Sequence, residues 1–582
     1  MVAETLTELW CRAVERPPSR IAFLVEEGGA WREVGWAEAG SLVDEVAAGL
    51  LALGIGAGDR VAILSRTRFE WALCDWALIS IGALVVPIYP TSSALECAFL
   101  LGNSGARFLV CENAAQHAKV APTRRELEAL EQVIAFEPLG SDAVSLEELR
   151  RRGRELLRGR PVAVAEARGR IVADDVLTIV YTSGTIGPPK GCVLTHRNYR
   201  AMVDMVLGVR GLVEPGDRTL LFLPLAHTFA RLVEFLGPAT GLTIAFCPEA
   251  SAVPGALTEV RPTIFPSVPR LFEKVRAAIE SSLDESRGAR GRLARWALAT
   301  GYEASERTCA GRRLPPGLAL RHALADRLVL ARVRARLGGR LRFAISGGAP
   351  LAGDVAEFFH ALGILILEGY GLTESTTAAT MNRPDAFRFG TVGPALPGVE
   401  LAIADDGEIL VRGENVFSGY YRDDESTGAV LTENGWLRTG DVGALDADGF
   451  LTITDRKKDI IVTAAGKNVA PQNLEAALRS SRYVSDALVL GDRRPYLVAL
   501  IALDREEAGR VAHGEDELHA LAAEAVAQAN RDRAPFEQVR KFVVLPQDFS
   551  AELNELTPTL KVRRHVCEEH FRQQIERLYA GA

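Results

Sequence analysis

Between residues 40 and 115 the chain alternates two hydrophobic textures. VDEVAAGLLALG and WALCDWALISIG carry apolar residues at helical spacing, whereas RVAILS, ALVVPIYP and ARFLVCEN are short runs rich in Val, Ile and Leu. Helices of about 10–15 residues alternating with such runs predict βαβ units around a largely parallel sheet. The theme returns at VLTIVYTS, TIAFCPEA and RLRFAISGGAP. The most apolar stretch, Trp71 to Val86, is interrupted by Asp75 and Gly82 and closed by Pro87. It is too short and too broken to span a bilayer and reads as a buried helix followed by a buried strand. From about residue 400 the pattern changes to short strands punctuated by Asp-Gly and Asn-Gly pairs, as in DDGEILVRG, NGWLRTGD and DADGFLTITDR. Such pairs favour hairpins. The patterns together predict an α/β fold. A large N-terminal domain of βαβ-type sheets covers residues 1–456, with 400–456 a small β-rich subdomain. A hinge at 457–460 leads into a small α+β C-terminal domain over 461–582.

Composition narrows the function. A chain of 582 residues exceeds what one hydrophobic core sustains, in keeping with more than one domain. With 48% hydrophobic and 24% charged residues it is an ordinary globular chain, and a net charge of −8 argues against nucleic acid as its partner. Eight cysteines without a CxxC pair suit a reducing compartment and offer neither a zinc site nor a disulfide framework. The N-terminus lacks the charged and apolar regions of a secretory signal, so a cytoplasmic location is expected. Residues 280–340 are rich in arginine, with Leu324, Leu328 and Ala335 at near-helical spacing beside Arg327, Arg332, Arg334 and Arg336. A solvated outer helix is the reading that charge runs favour; a basic face in peripheral contact with a membrane is the other. Oligomeric state is left open.

The densest chemistry lies at residues 179–191, IVYTSGTIGPPKG. An apolar strand runs into Thr182, Ser183, Gly184, Thr185 and Gly187, and Lys190 follows two prolines. Glycines let the backbone approach an anion, hydroxyls and amides donate, and a lysine adds point charge. The segment reads as a polyphosphate cradle, although it is not a Walker loop and a Gly/Pro surface turn is the plainer alternative. Only eight of the 67 basic residues are lysines, which makes Lys190 and Lys561 less accidental. Tyr370 stands among glycines and offers a flat face for a purine, or else is a core tyrosine. Glu374 is a hard oxygen ligand suited to magnesium, or else a helix-end charge. Asp441 can accept two ribose hydroxyls, or else belongs to a bare Gly-Asp turn, the commoner reading on its own, and Arg456 can support the same sugar or pair with Asp455 or Asp459 at the surface.

In order along the chain these segments resemble the adenylate-forming superfamily, which includes acyl-CoA synthetases, firefly luciferase and peptide-synthetase adenylation domains. YTSGTxGxPKG is similar to the family's phosphate loop, with Ile186 where a hydroxyl residue is usual. Ser346 to Pro350, with Gly347, Gly348 and Ala349, resembles the adenine-contacting segment. Glu368 to Glu374 resembles the segment that stacks adenine through Tyr370, touches the α-phosphate through Thr373 and holds Mg2+ through Glu374. Thr439-Gly440-Asp441 resembles the ribose turn, and Asp455 to Asp459 the hinge centred on Lys458. Thr557 to Lys561 resembles the segment that delivers a catalytic lysine. The resemblance covers roughly residues 20 to 570. It implies ATP and Mg2+, an acyl-adenylate intermediate, and coenzyme A as acceptor. It also implies a mobile C-terminal domain that withdraws Lys561 while the loop around Gly466 and Lys467 approaches the adenylate.

Phe222 to Phe229, with Arg231 and Glu234, and Phe265 to Lys274 are similar to long-chain fatty acyl-CoA synthetases, as is TAAGKNVAPQNLE. In that reading His227 meets the fatty acid carboxylate or gates its channel; a histidine capping a strand end is the alternative. A ligase that loads a carrier protein and a catalytically silent acyl-adenylate binding module remain as competing readings.

Overall fold

The computed structural model describes residues 4–140, 143–182, 188–531, 533–550, 552–557 and 561–580. Two eight-stranded sheets carry the N-terminal part. One is ordered Thr380–Met381, Leu365–Tyr370, Phe343–Ser346, Ile264–Ser267, Arg218–Leu221, Thr243–Phe246, Ile21–Glu27 and Ala30–Gly35. The other is ordered Gly419–Tyr420, Lys190–Thr195, Val176–Thr182, Leu84–Ile88, Arg60–Leu64, Phe108–Cys111, Gln132–Ala135 and Val144–Ser145. The inner pairings are parallel, as the alternating textures predict, except that Lys190–Thr195 runs antiparallel to Val176–Thr182, and antiparallel strands close three of the four edges.

The Trp71–Val86 stretch resolves into the helix Phe69–Ser80, nearly all of it buried, and the strand Leu84–Ile88. A helix buried nearly all round needs neighbours on every side, and the helices Leu6–Val14, Trp36–Ala52 and Ala163–Arg168 pack against it. Helices Trp36–Ala52 and Leu146–Gly159 cross so closely that neither Gly49 nor Gly153 has room for a Cβ. One charge cluster sits in this core. Asp75 accepts from the Arg231 guanidinium at 2.7, 3.0 and 3.1 Å, with both side chains inaccessible to solvent. Burial, then the Asp75 charge, raises the carboxyl of the neighbouring Glu234 well above the usual range.

The strands Glu400–Ile403, Glu408–Arg412, Leu437–Leu445 and Leu451–Arg456 form an antiparallel sheet of four. Beyond it, Val484–Leu490, Leu497–Leu503 and Val539–Val544 make a three-stranded sheet with its own apolar core. The arginine-rich region is helical over Gly288–Cys309 and Pro316–Ala325, passes through a π turn at Asp326–Leu330 and ends in Ala331–Ala335. Among the described residues no helix is long and apolar enough to cross a membrane.

Candidate active site

Ligands of open α/β sheets collect beyond the carboxyl ends of parallel strands, and the candidate residues lie there. Strands Ile264–Ser267, Phe343–Ser346 and Leu365–Tyr370 are parallel neighbours, so their ends open on one side. Gly347 follows the second of them; its N–H donates to the Ser267 carbonyl at 3.3 Å, and its backbone lies beside the Phe229 ring. Gly348 and Ala349 are exposed just beyond. Glu368, buried in the third strand, accepts from the Leu351 N–H at 3.0 Å, and burial pushes its carboxyl up to about 7.

Tyr370 ends that strand and donates its hydroxyl to Asp441 Oδ2 at 2.7 Å. Asp441 and Arg456 are direct partners on adjacent antiparallel strands, where side chains on one face meet. Arg456 Nε accordingly donates to Asp441 Oδ1 at 3.1 Å. The Arg456 side chain pairs with Asp441, not with Asp455 or Asp459, the partners open to it in the sequence; Asp455 accepts only the Arg456 backbone N–H. The turn before Asp441 needs Gly440 at φ +71, and the Gly440 N–H donates to Glu408 at 2.9 Å. Burial first, then the Asp441 charge, holds the Tyr370 phenol far above its usual range, so it remains a donor.

Thr373 and Glu374 lie in a single 3-10 turn, Thr373–Ser375. Glu374 Oε1 accepts from the Tyr420 hydroxyl at 2.8 Å. Tyr420 belongs to the short strand Gly419–Tyr420, which pairs with the strand that begins at Lys190. Lys190 Nζ stands 5.3 Å from the Tyr420 ring centroid and donates to Ser426 Oγ at 2.6 Å. Thr182 closes its own strand opposite Lys190. Ser183, Gly184, Thr185 and Gly187 lie outside the described residues.

Lys561 comes from the C-terminal part, on a narrow hairpin. Thr557 N–H donates to the Lys561 carbonyl at 2.8 Å, Lys561 N–H to Thr557 Oγ1 at 3.0 Å, and Leu556 bridges Val562. The Lys561 side chain is exposed to solvent, yet its ammonium lies within electrostatic reach of Arg456 and Asp441. Desolvation, reinforced by Arg456 and opposed by Asp441, brings it from 10.5 down to about 8. His227, the N-cap of helix Thr228–Thr240, accepts from the Phe229 N–H at 3.2 Å through Nδ1. Burial, then the Lys561 charge, lowers its imidazole to about 4, so it is neutral at pH 7. Lys561 is thus within electrostatic reach of His227 on one side and of Arg456 and Asp441 on the other.

Lys458 is exposed at the rim of this cluster, within electrostatic reach of Arg456, Asp441 and Glu374. Gly466 and Lys467 form an exposed turn of the C-terminal part, with Lys467 Nζ 5.9 Å from the Phe536 ring. Sequence reasoning missed Tyr420, Ser426 and Glu408. The Gly-Tyr-Tyr run at 419–421, with an aromatic beside a glycine as at Tyr370, is the signal that could have found the first.

No group of three or more His, Cys, Asp or Glu residues among those described forms a metal cage. Glu374, with one oxygen engaged by Tyr420, fits magnesium, which takes one or two carboxylates plus phosphate oxygens.

The family described as AMP-binding enzyme matches residues 10–421, and its C-terminal domain matches 458–582. The chain is an AMP-binding enzyme. This AMP-binding enzyme is 42% identical over 575 residues to the long-chain-fatty-acid–CoA ligase FadD15 of Mycobacterium bovis, covering 95% of this chain and 93% of the relative. It is 28% identical to the long-chain-fatty-acid–CoA ligase ACSBG2 of Xenopus laevis, over 99% of this chain and 84% of the relative. Among solved structures, the anthranilate CoA ligase AuaEII in complex with anthranoyl-AMP superposes with a TM-score of 0.75 at 20% identity, covering 98% of both chains. That likeness concerns the fold.

Proposed function

We propose that this AMP-binding enzyme activates a long-chain fatty acid with ATP and transfers the acyl group to coenzyme A. In the first half-reaction a carboxylate oxygen attacks the α-phosphorus, the bond to the bridging oxygen breaks, and pyrophosphate leaves. In the second the coenzyme A thiol loses its proton and attacks the acyl carbonyl, and AMP leaves with the bonding electrons.

The observation that carries the reading is the convergence of Lys561 from the C-terminal part on the Tyr370–Asp441–Arg456 group. Two anions must meet at one phosphorus, and a cation poised where charge concentrates offsets their repulsion. Tyr370 offers the aromatic face for adenine. The Asp441 carboxylate, oriented by Tyr370 and Arg456, takes the ribose hydroxyls. Lys190 and the loop ahead of it hold the β- and γ-phosphates. Neutral His227 stands near the attacking carboxylate without adding charge. Glu374 would hold magnesium, whose role when bound is to neutralise the phosphate oxygens. For the second half-reaction the C-terminal domain turns about Lys458, Lys561 withdraws, and the Gly466–Lys467 loop takes its place.

Long acyl chains are supported by the FadD15 similarity and by the segments Phe222 to Phe229 and Phe265 to Lys274. The test is product formation from ATP with octanoate, palmitate or benzoate, with and without coenzyme A. Palmitoyl-CoA and AMP formed in equal amounts, only with coenzyme A present, is the expected result. Preference for benzoate, or AMP release that needs a carrier protein, would overturn it.

A further inference from the structure

The Lys561 hairpin carries a second cation two residues on. Residues i and i+2 of an extended segment project from the same side, about 7 Å apart. Val562, between them, turns back into the C-terminal apolar core through its bridge with Leu556. Lys561 and Arg563 therefore both face the N-terminal domain. Arg563 Nη2 donates to Glu96 Oε1 at 2.7 Å, with only 16% and 19% of the two side chains exposed.

Glu96 is held ready for that contact. It is the third residue of helix Ala94–Ser104 and completes a capping box with Ser93: the Glu96 N–H donates to Ser93 Oγ at 3.2 Å, and Glu96 Oε2 accepts from the Ser93 N–H at 3.0 Å. One carboxylate oxygen locks the side chain to the helix start and the other faces Arg563. At its own end, the Arg563 N–H donates to the Glu555 carbonyl at 2.7 Å and closes the base of the Lys561 hairpin.

We propose that Glu96 and Arg563 are positioning residues for adenylation: their ion pair docks the hairpin on the N-terminal domain and sets where the Lys561 ammonium stands. The pair suits a contact that must be remade each turnover. It is directional and charge-assisted, yet near enough to water that both ions rehydrate when the domain turns away. The inference rests on the proposed two-step ligation and adds a residue pair that acts on its first step alone.

The test separates the half-reactions in the full-length enzyme. Acid-dependent exchange of labelled pyrophosphate into ATP, with palmitate, reads the first; formation of palmitoyl-CoA from supplied palmitoyl-AMP reads the second. Arg563→Ala is expected to lower exchange about tenfold, as loss of a charge-assisted contact worth about 1.4 kcal/mol implies, and to leave the second rate within about twofold. Glu96→Gln preserves the capping box, and with it the fold, while removing the charge. It is expected to show the same split, and Arg563→Lys to restore most of the exchange. Equal loss of both half-reactions, or unchanged exchange in both charge-removing variants, would overturn the inference. Absence of exchange in the unsubstituted enzyme would instead overturn the ligase reading beneath it.

Discussion

Replacing Lys561 with methionine keeps most of the length of the unbranched side chain and removes its charge. The change acts on catalysis and on stability. For catalysis, a cation about 4 Å from developing negative charge contributes roughly 4 kcal/mol at an effective dielectric of about 20. If about 3 kcal/mol of that is realised only in the transition state, pyrophosphate exchange slows roughly a hundredfold or more. For stability the sign is opposite. The ammonium falls from 10.5 in a free chain to about 8 in the fold, so the folded site disfavours the charge. At about 1.36 kcal/mol per pH unit the cost is at most about 3 kcal/mol. Because the Lys561 side chain is exposed to water, about 1–2 kcal/mol is the better figure. Lys561→Met should therefore melt at or above the unsubstituted enzyme at pH 7. That excess should shrink as pH rises from about 8 to 10.5, where the folded lysine is already neutral and the unfolded one is losing its proton. Exchange kinetics and thermal melts on the same preparation check both. A variant that is less stable and only a few-fold slower would refute the reasoning, because Lys561 would then be a packing residue.

Three further outcomes follow from the same geometry. With Lys561 near 8 and His227 near 4, kcat/KM for exchange should be level between about pH 6 and 7.5 and decline above about 8; a decline below pH 7 would contradict the assignment of His227 as neutral. Glu374→Gln should raise the magnesium concentration that gives half-maximal exchange by about tenfold or more, and a magnesium titration with an unchanged midpoint would remove Glu374 from the metal site. Arg231→Met leaves Asp75 buried without its partner and should cost about 3–5 kcal/mol in urea unfolding, whereas a loss under about 1 kcal/mol would show that water satisfies Asp75.

The parallel core was legible because each element there states its period locally. Helix Phe69–Ser80, mostly apolar apart from Glu70, Asp75 and Ser80, and strand Leu84–Ile88 are separated by Gly82. The candidate site residues Lys190, Tyr370, Glu374 and Asp441 stand in short segments of glycines, hydroxyls and prolines that each also fit an ordinary turn or core role, and only their order along the chain, through the family resemblance, marked them as candidates. Contacts between segments were not legible. Nothing local to Tyr420 tells of Glu374, 46 residues away, and nothing near Glu96 tells of Arg563, 467 residues away. A Ser-x-x-Glu at a helix start reads as a cap, and its second carboxylate oxygen becomes informative only when another domain arrives. Arg456 shows the same limit, since adjacent aspartates compete in sequence while strand register selects Asp441.

The central claim is that this chain joins a fatty acid to the α-phosphorus of ATP before coenzyme A takes part. The measurement is incorporation of labelled pyrophosphate into ATP by the purified enzyme with magnesium, with and without palmitate, and with no coenzyme A. The account predicts incorporation that depends on palmitate and is lost in Lys561→Met. Incorporation that needs coenzyme A, or none with palmitate while palmitoyl-CoA still forms, would contradict it.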